Sequence, residues 1–181
     1  MKIAIIGCGF VGKAYVQALT TAHFVYVIDP ALNTCKLSDH PHYDGIIVCV
    51  PTPSNADGSC DYSIVTEVMD TIPDPTTPVM IKSTIDLAAW KHLSAKYANP
   101  LTFSPEFLRQ DFADKDMKDN KYCILAGDDC NTWWSILVSA PTFRHKIFRY
   151  CFKEVEEAII MKYAVNSFLA TKVMFFNQLK E

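Results

Sequence analysis

Lys2-Ile3-Ala4-Ile5-Ile6-Gly7-Cys8-Gly9-Phe10-Val11-Gly12 decides how the rest of the chain is read. Lys2 to Ile6 is a short apolar run of the kind a strand buried on both faces needs. It passes directly into a GxGxxG. In that spacing the first glycine permits a tight turn and the second lets a pyrophosphate approach the backbone. The third lets the following helix pack closely on the strand. Apolar residues then recur at helical spacing from Val11 to Thr21 (Val11, Ala14, Tyr15, Ala18, Leu19). The start of such a helix offers unpaired N–H groups and a partial positive charge to a phosphate. Phe24 to Ile28 reads as a second strand, closed by Asp29.

Asp29 stands seventeen residues beyond Gly12, near the spacing of a carboxylate that hydrogen-bonds an adenosine ribose. A carboxylate there repels a 2′-phosphate and no arginine follows it, so the pattern predicts NAD rather than NADP. GxGxxG alone is weak evidence; here strand, helix, second strand and acid stand in register. The plainer alternative, glycines that serve strand–helix packing only, stays open on these residues.

Further along, Ala31 to Tyr43 is polar, is punctuated by Pro30 and Pro41, and has room for one helical turn at most. Gly45 to Val50 reads as a strand ended by Pro51-Thr52-Pro53, and Ser63 to Ile72 as a helix. Val79 to Lys82 is the next strand, with Ser83-Thr84 at its end. A helix from Leu87 to Tyr97 leads to strand Leu101 to Phe103. Strand Tyr122 to Leu125, helix Asn131 to Val138 and strand Lys146 to Tyr150 continue the alternation. This order predicts an α/β chain with a Rossmann-type, doubly wound parallel sheet over residues 1–152. Ligands of such sheets sit beyond the carboxyl ends of the strands. Those ends are Gly7, Asp29, Val50-Pro51-Thr52, Lys82-Ser83-Thr84 and Ser104-Pro105-Glu106, which should line one crevice.

The 181 residues are half hydrophobic, with a formal charge of −3, which argues against a nucleic-acid or anionic-membrane surface. No uninterrupted apolar run approaches the roughly 20 residues of a membrane span, and the first residues form a strand rather than a signal peptide. Seven scattered cysteines without a CxxC predict reduced thiols and a cytoplasmic setting. Cys35, His40, His42 and Cys49 fit no standard zinc spacing, so no metal site is expected.

Residues 153–181 read as a long helix without glycine or proline, with Glu154, Glu156 and Glu157 at its start. Lys162 and Asn166 are four apart and share a face. On spacing alone that face could simply meet solvent. Ile160, Phe168, Met174, Phe175 and Phe176 give the helix more apolar surface than one sheet face covers, which predicts a homodimer.

GCGFVG with Asp29, Val50-Pro51-Thr52-Pro53, Asp57-Gly58-Ser59-Cys60-Asp61, Lys82-Ser83-Thr84, Ser104 to Arg109 (SPEFLR) and Lys162 to Lys172 (KYAVNSFLATK) occur in that order. Together they resemble the UDP-glucose/GDP-mannose dehydrogenase family across nearly the whole chain. SPEFLR and KYAVNSFLATK are most similar to the UDP-glucose 6-dehydrogenases within it. The resemblance implies oxidation of a UDP-sugar C6 alcohol to a carboxylate with two NAD reduced. GDP-mannose, an N-acetylated UDP-sugar and a non-catalytic NAD-binding dimer are the alternatives.

By motif, the resemblance places Gly7, Gly9, Phe10, Val11, Gly12, Asp29, Val50, Pro51, Thr52, Ser83 and Thr84 at the cofactor. Thr84 would also lie by the catalytic water. The resemblance implies that Glu106 is the acid–base carboxylate and that Lys162 with Asn166 stabilises the oxyanion. Phe107, Leu108 and Arg109 join Glu106, Lys162 and Asn166 around the sugar. Three departures accompany the likeness. Gln110 stands where a second glutamate is usual, so acid–base chemistry there is not expected. Only twenty residues separate Asp29 from Val50, which implies a missing helix and strand. The family's nucleophilic cysteine and most of its uridine site lie in a further domain beyond the long helix. The 181 residues alone are therefore expected to be inactive, with the second domain supplied in the same chain or a separate one.

Overall fold

The computed structural model describes residues 1–32, 35–40, 42–127, 129–145 and 148–180. Pro41 and the predicted strand start at Lys146 lie outside them. Five strands, β1 (Lys2–Ile6), β2 (Phe24–Ile28), β3 (Gly45–Val48), β4 (Val79–Ile81) and β5 (Leu101–Phe103), pair in parallel. With β6 (Tyr122–Ala126) and β7 (Phe148–Phe152) they form one sheet in the order β2-β1-β3-β4-β5-β6-β7. Helices α1 (Phe10–Leu19), α2 (Ser63–Asp70), α3 (Leu87–Lys96) and α5 (Cys130–Ser139) stand where the periodicity predicts them. Among the described residues between β2 and β3 there is one 3₁₀ turn, Leu37–Asp39, within the limit the segment's length sets.

One part of the predicted topology needs correction. β6 runs antiparallel to β5, meeting it at Phe103↔Ala126, and β7 runs parallel to β6. The connection after β5 does not cross the sheet, as a parallel return requires. It stays at the carboxyl edge, where it folds into a 3₁₀ turn (Gln110–Phe112) and α4 (Ala113–Asp119) packed on α1. Neither element, nor the short α6 (Pro141–Arg144), is visible in the hydrophobic pattern.

Alternation along each strand splits the core in two. Ala4, Ile6, Ile46, Val48 and Ile81 face α2, α3 and the start of α7 (Val155–Gln178); Ile3, Ile5, Ile47 and Met80 face α1, α4, α5 and α6. At the sheet's edge, Phe24 of β2 is 73% exposed. Dinucleotide-binding sheets commonly run 3-2-1-4-5-6. Among the described residues no strand pairs outside β2, in keeping with the short Asp29–Val50 segment.

α7 is anchored by Val155, Ala158 and Ile159, and from Tyr163 to Lys180 every residue is exposed. The helix thus projects from the body with its apolar residues uncovered. Its mean hydropathy reaches 1.3 over 18 residues, so by length and composition it could also cross a membrane. Counting uninterrupted apolar runs missed this, because Lys162, Asn166 and Lys172 break the run without lowering its mean far.

Candidate active site

The three glycines of the first turn have three different surroundings. Gly7 has φ +88°, and a Cβ on it would lie 2.6 Å from the Cys49 carbonyl oxygen. A Cβ on Gly12 would come within 2.0 Å of the Gly7 carbonyl oxygen, so the third glycine is what lets α1 approach β1. Around Gly9 a Cβ would meet nothing within 4 Å. An open second position at the start of a ten-residue helix is what a pyrophosphate would need.

Asp29 reaches into the same turn. Its carboxylate accepts hydrogen bonds from the Cys8 N–H (2.6 Å) and the Ala31 N–H (2.8 Å) and keeps lone pairs for ribose hydroxyls. Beside it lies a largely apolar cleft of about 800 Å³ between Ile28, Leu37, Val50, Pro51, Ile64 and Val68. Its size and lining suit an adenosine.

The next strand ends are tied together by hydroxyls. Thr52 Oγ1 donates to the Thr84 carbonyl at 2.6 Å, and Ser83 Oγ donates to that of Val50 at 2.7 Å. Burial pushes the thiol of Cys49, just before, up to about 12, which disfavours its thiolate. Across the site, Lys82 Nζ lies 3.1 Å from Glu106 Oε2, with side chains only 2% and 12% exposed. Glu106 Oε1 accepts the Phe107 N–H at 2.9 Å. Lys162, from the second turn of α7, donates to the carbonyl oxygen of Glu106 and lies 4.7 Å above the Phe107 ring. Burial holds its amine below the ordinary lysine value; Lys82 adds to that effect and Glu106 opposes it.

These contacts tie neighbouring strand ends together, with a largely apolar cleft beside Asp29 and a Lys–Glu–Lys cluster around Glu106. Residues 32–139 match the family described as UDP-glucose/GDP-mannose dehydrogenase, NAD-binding domain. The chain belongs to that family. NAD is therefore its cofactor, and the open Gly9 and the placement of Asp29 fit it.

An uncharacterised protein of Methanocaldococcus jannaschii is 31% identical over 147 residues, 75% of this chain and 16% of its own length. UDP-glucose 6-dehydrogenase of Streptococcus pneumoniae is 29% identical over 226 aligned positions, covering 99% of this chain and 56% of the relative. That span exceeds the chain's own length, so the relative carries extra segments inside it. A solved GDP-mannose dehydrogenase from Pseudomonas aeruginosa shares the fold, with TM-score 0.80 and 23% identity over 98% of this chain and 52% of its own. The chain thus spans little more than half of these dehydrogenases.

Against the family's motif, Lys162 does face Glu106 across the crevice, 56 residues away in sequence. Asn166, one turn on, is exposed. Arg109 turns outward into a bidentate pair with Asp116 of α4 (2.9 and 2.6 Å), which holds that carboxyl at about 2. Leu108 packs on the α1 side of the core. Gln110 lines a second cleft of about 720 Å³ with Gly9, Phe10 and Lys13. Lys82 is expected at the crevice as a strand end but carries no expected role, and Tyr15 is expected only as a core residue of α1. A signal for Lys82 was present: a cation closing the otherwise apolar Val79-Met80-Ile81, one strand from an acid at the matching end.

Proposed function

We propose that this chain is the NAD-binding half of a UDP-glucose 6-dehydrogenase-like enzyme that oxidises C6 of UDP-glucose to give UDP-glucuronate. The observation that carries this is the convergence of Lys162 and Glu106 at the mouth of a dinucleotide crevice. Gly7, Gly9, Phe10, Val11 and Gly12 would hold the pyrophosphate and Asp29 the ribose. Val50, Pro51, Thr52, Ser83 and Thr84 would line the nicotinamide end. NAD supplies the hydride acceptor. Glu106 would exchange protons through a water held near Thr84. Lys162, with Asn166 beside it, would stabilise negative charge on the substrate oxygen. The backbone from Phe107 to Arg109 would border the sugar. Reduced thiols and the acidic balance suit a cytoplasmic protein. The test is NADH formation by the chain joined to a second domain, with UDP-glucose, GDP-mannose and UDP-N-acetylhexosamines in parallel. Preference for GDP-mannose or an N-acetylated sugar would overturn the UDP-glucose assignment.

NAD is expected to bind more tightly than NADP, because a 2′-phosphate would meet the Asp29 carboxylate. Asp29→Ala should weaken NAD by about 1–3 kcal/mol, the value of a charge-assisted hydrogen bond. Calorimetric titration with both nucleotides checks this; equal or tighter NADP binding refutes it.

The exposed part of α7 would pair with that of a second copy. Ile160, Phe168, Met174, Phe175 and Phe176 are all more than half exposed, and Lys162, Asn166 and Lys172 would be costly in hydrocarbon. Light scattering at tens of micromolar should give a dimer, and Phe168→Glu with Phe175→Glu a monomer. A monomeric parent protein would refute the pairing.

A further inference from the structure

The Glu106 carboxylate pairs with Lys82 and is hydrogen-bonded with Tyr15, while the Lys162 ammonium sits at the backbone carbonyl of the same residue. Lys82 holds that carboxylate from inside the fold. Its Nζ lies 3.1 Å from Oε2, 3.0 Å from Ser104 Oγ and 4.7 Å from the centre of the Tyr15 ring. Ser104 Oγ donates to the Ile124 carbonyl at 2.6 Å, which turns its lone pairs toward the lysine. The cavity beside the pair, between Tyr15, Lys82, Ser104, Glu106 and Tyr122, measures about 20 Å³, enough for one water. With both side chains this far buried the ion pair is little screened. Lys162, by contrast, meets only the backbone carbonyl of Glu106 and the Phe107 ring. Among the described residues it forms no ion pair.

We propose that Lys82 is a positioning residue, which neutralises the Glu106 carboxylate from within so that the ammonium of Lys162 stays uncommitted at the open face. The inference rests on the functional assignment of Lys162 and Glu106 above. Without Lys82 the carboxylate would rotate to the other cation, and a Lys162 engaged by Glu106 could no longer give its full charge to a substrate oxygen. Removing one member of a buried pair also leaves the other charge unpaired, whereas removing both is tolerated. Lys82→Met should therefore be rescued by a second change, Glu106→Gln.

The test uses the 181-residue protein with neither cofactor nor substrate, so its result is independent of whether the protein binds NAD. The rate of acylation of the Lys162 amine near pH 8 is read by peptide mass spectrometry in four proteins: the parent, Lys82→Met, Glu106→Gln and the double variant. Lys82→Met is expected to slow labelling of Lys162 roughly tenfold, since it removes a like charge and delivers a carboxylate. The double variant should label at least as fast as the parent. Unchanged labelling in Lys82→Met, or a double variant as slow as Lys82→Met, overturns the proposal. If Lys82→Met does not fold, thermal unfolding of the other two decides. Glu106→Gln alone, with Lys82 left unpaired, should melt below the double variant; equal melting, or a higher melting point for Glu106→Gln, overturns the proposal.

Discussion

Gly12→Ala is expected to lower the melting temperature by about 10 °C and to abolish NAD binding with it. The new Cβ would lie 2.0 Å from the Gly7 carbonyl oxygen, an approach no rotamer change can relieve because both groups belong to backbone. Gly7 is itself held in the turn, at φ +88° with its N–H donating to the Ile28 carbonyl at 2.9 Å. α1 would have to move off β1, opening the core that Ala14, Tyr15, Ala18 and Leu19 make with Ile3 and Ile5. Overpacking of this kind costs about 3 kcal/mol at the upper end of its usual range. In a domain of this size that is roughly 6–12 °C. Gly9→Ala is the control. Nothing lies within 4 Å of its Cβ, and Gly9 has φ −67°, which alanine adopts freely. It should melt within a few degrees of the parent yet lose NAD, because the methyl occupies the space the pyrophosphate needs. Thermal unfolding and calorimetric titration on the two variants separate a packing glycine from a ligand glycine. If Gly9→Ala bound NAD normally, the turn would serve packing only, the alternative that the sequence alone leaves open.

The contrast between these glycines shows which parts of the site can be read before folding. β1 to β5 are legible because each is an apolar run bounded by glycine, proline or a helix signal. Five parallel strands place their carboxyl ends together by geometry alone. α4 is hidden because Ala-Asp-Lys-Asp-Met-Lys-Asp offers only Ala113 and Met117 to the core, one turn apart. With α4 unseen, nothing marks the return along the carboxyl edge, so β6 and β7 are assigned the wrong direction. α6 has four residues and no period to detect. Along α7 apolar residues recur on every side, so periodicity cannot say which face turns inward. That face is fixed by Val155, Ala158 and Ile159 docking on the sheet, which carries Lys162 to Glu106 and leaves Asn166 at the surface. The Lys82–Glu106 pair depends on adjacent strand ends, β4 and β5, meeting in register. The cation and the acid at the two strand ends are visible in sequence, but that they meet is a property of the sheet.

Lys162→Ala is expected to lower kcat by about 10²–10³-fold in the enzyme completed with a second domain, the loss typical when one donor to a developing oxyanion is removed. KM should change little, since the charge on the substrate oxygen appears only as the reaction proceeds. The variant should fold, because Lys162 gives the body one hydrogen bond, to the Glu106 carbonyl, and one contact with the Phe107 ring. Asn166→Ala should cost less, as an exposed amide brings no charge. The 181 residues by themselves should bind NAD but give no sustained NADH from UDP-glucose. Carrying an alcohol to an acid takes two hydride transfers with the aldehyde trapped between them, and that trap calls for a nucleophile. Burial pushes the Cys49 thiol up to about 12, which disfavours its thiolate, and Cys123 and Cys130 are buried in the core. The resemblance places the required cysteine in a further domain, and the chain covers 56% of the pneumococcal relative. Adding that domain, fused or as a separate chain, should restore the absorbance rise of NADH, and Lys162→Ala should remove most of it while leaving NAD affinity intact. Sustained NADH formation by the 181 residues alone would place the nucleophile inside this chain, with Cys60, half-buried and 3.6 Å from the Thr84 carbonyl, the first thiol to replace.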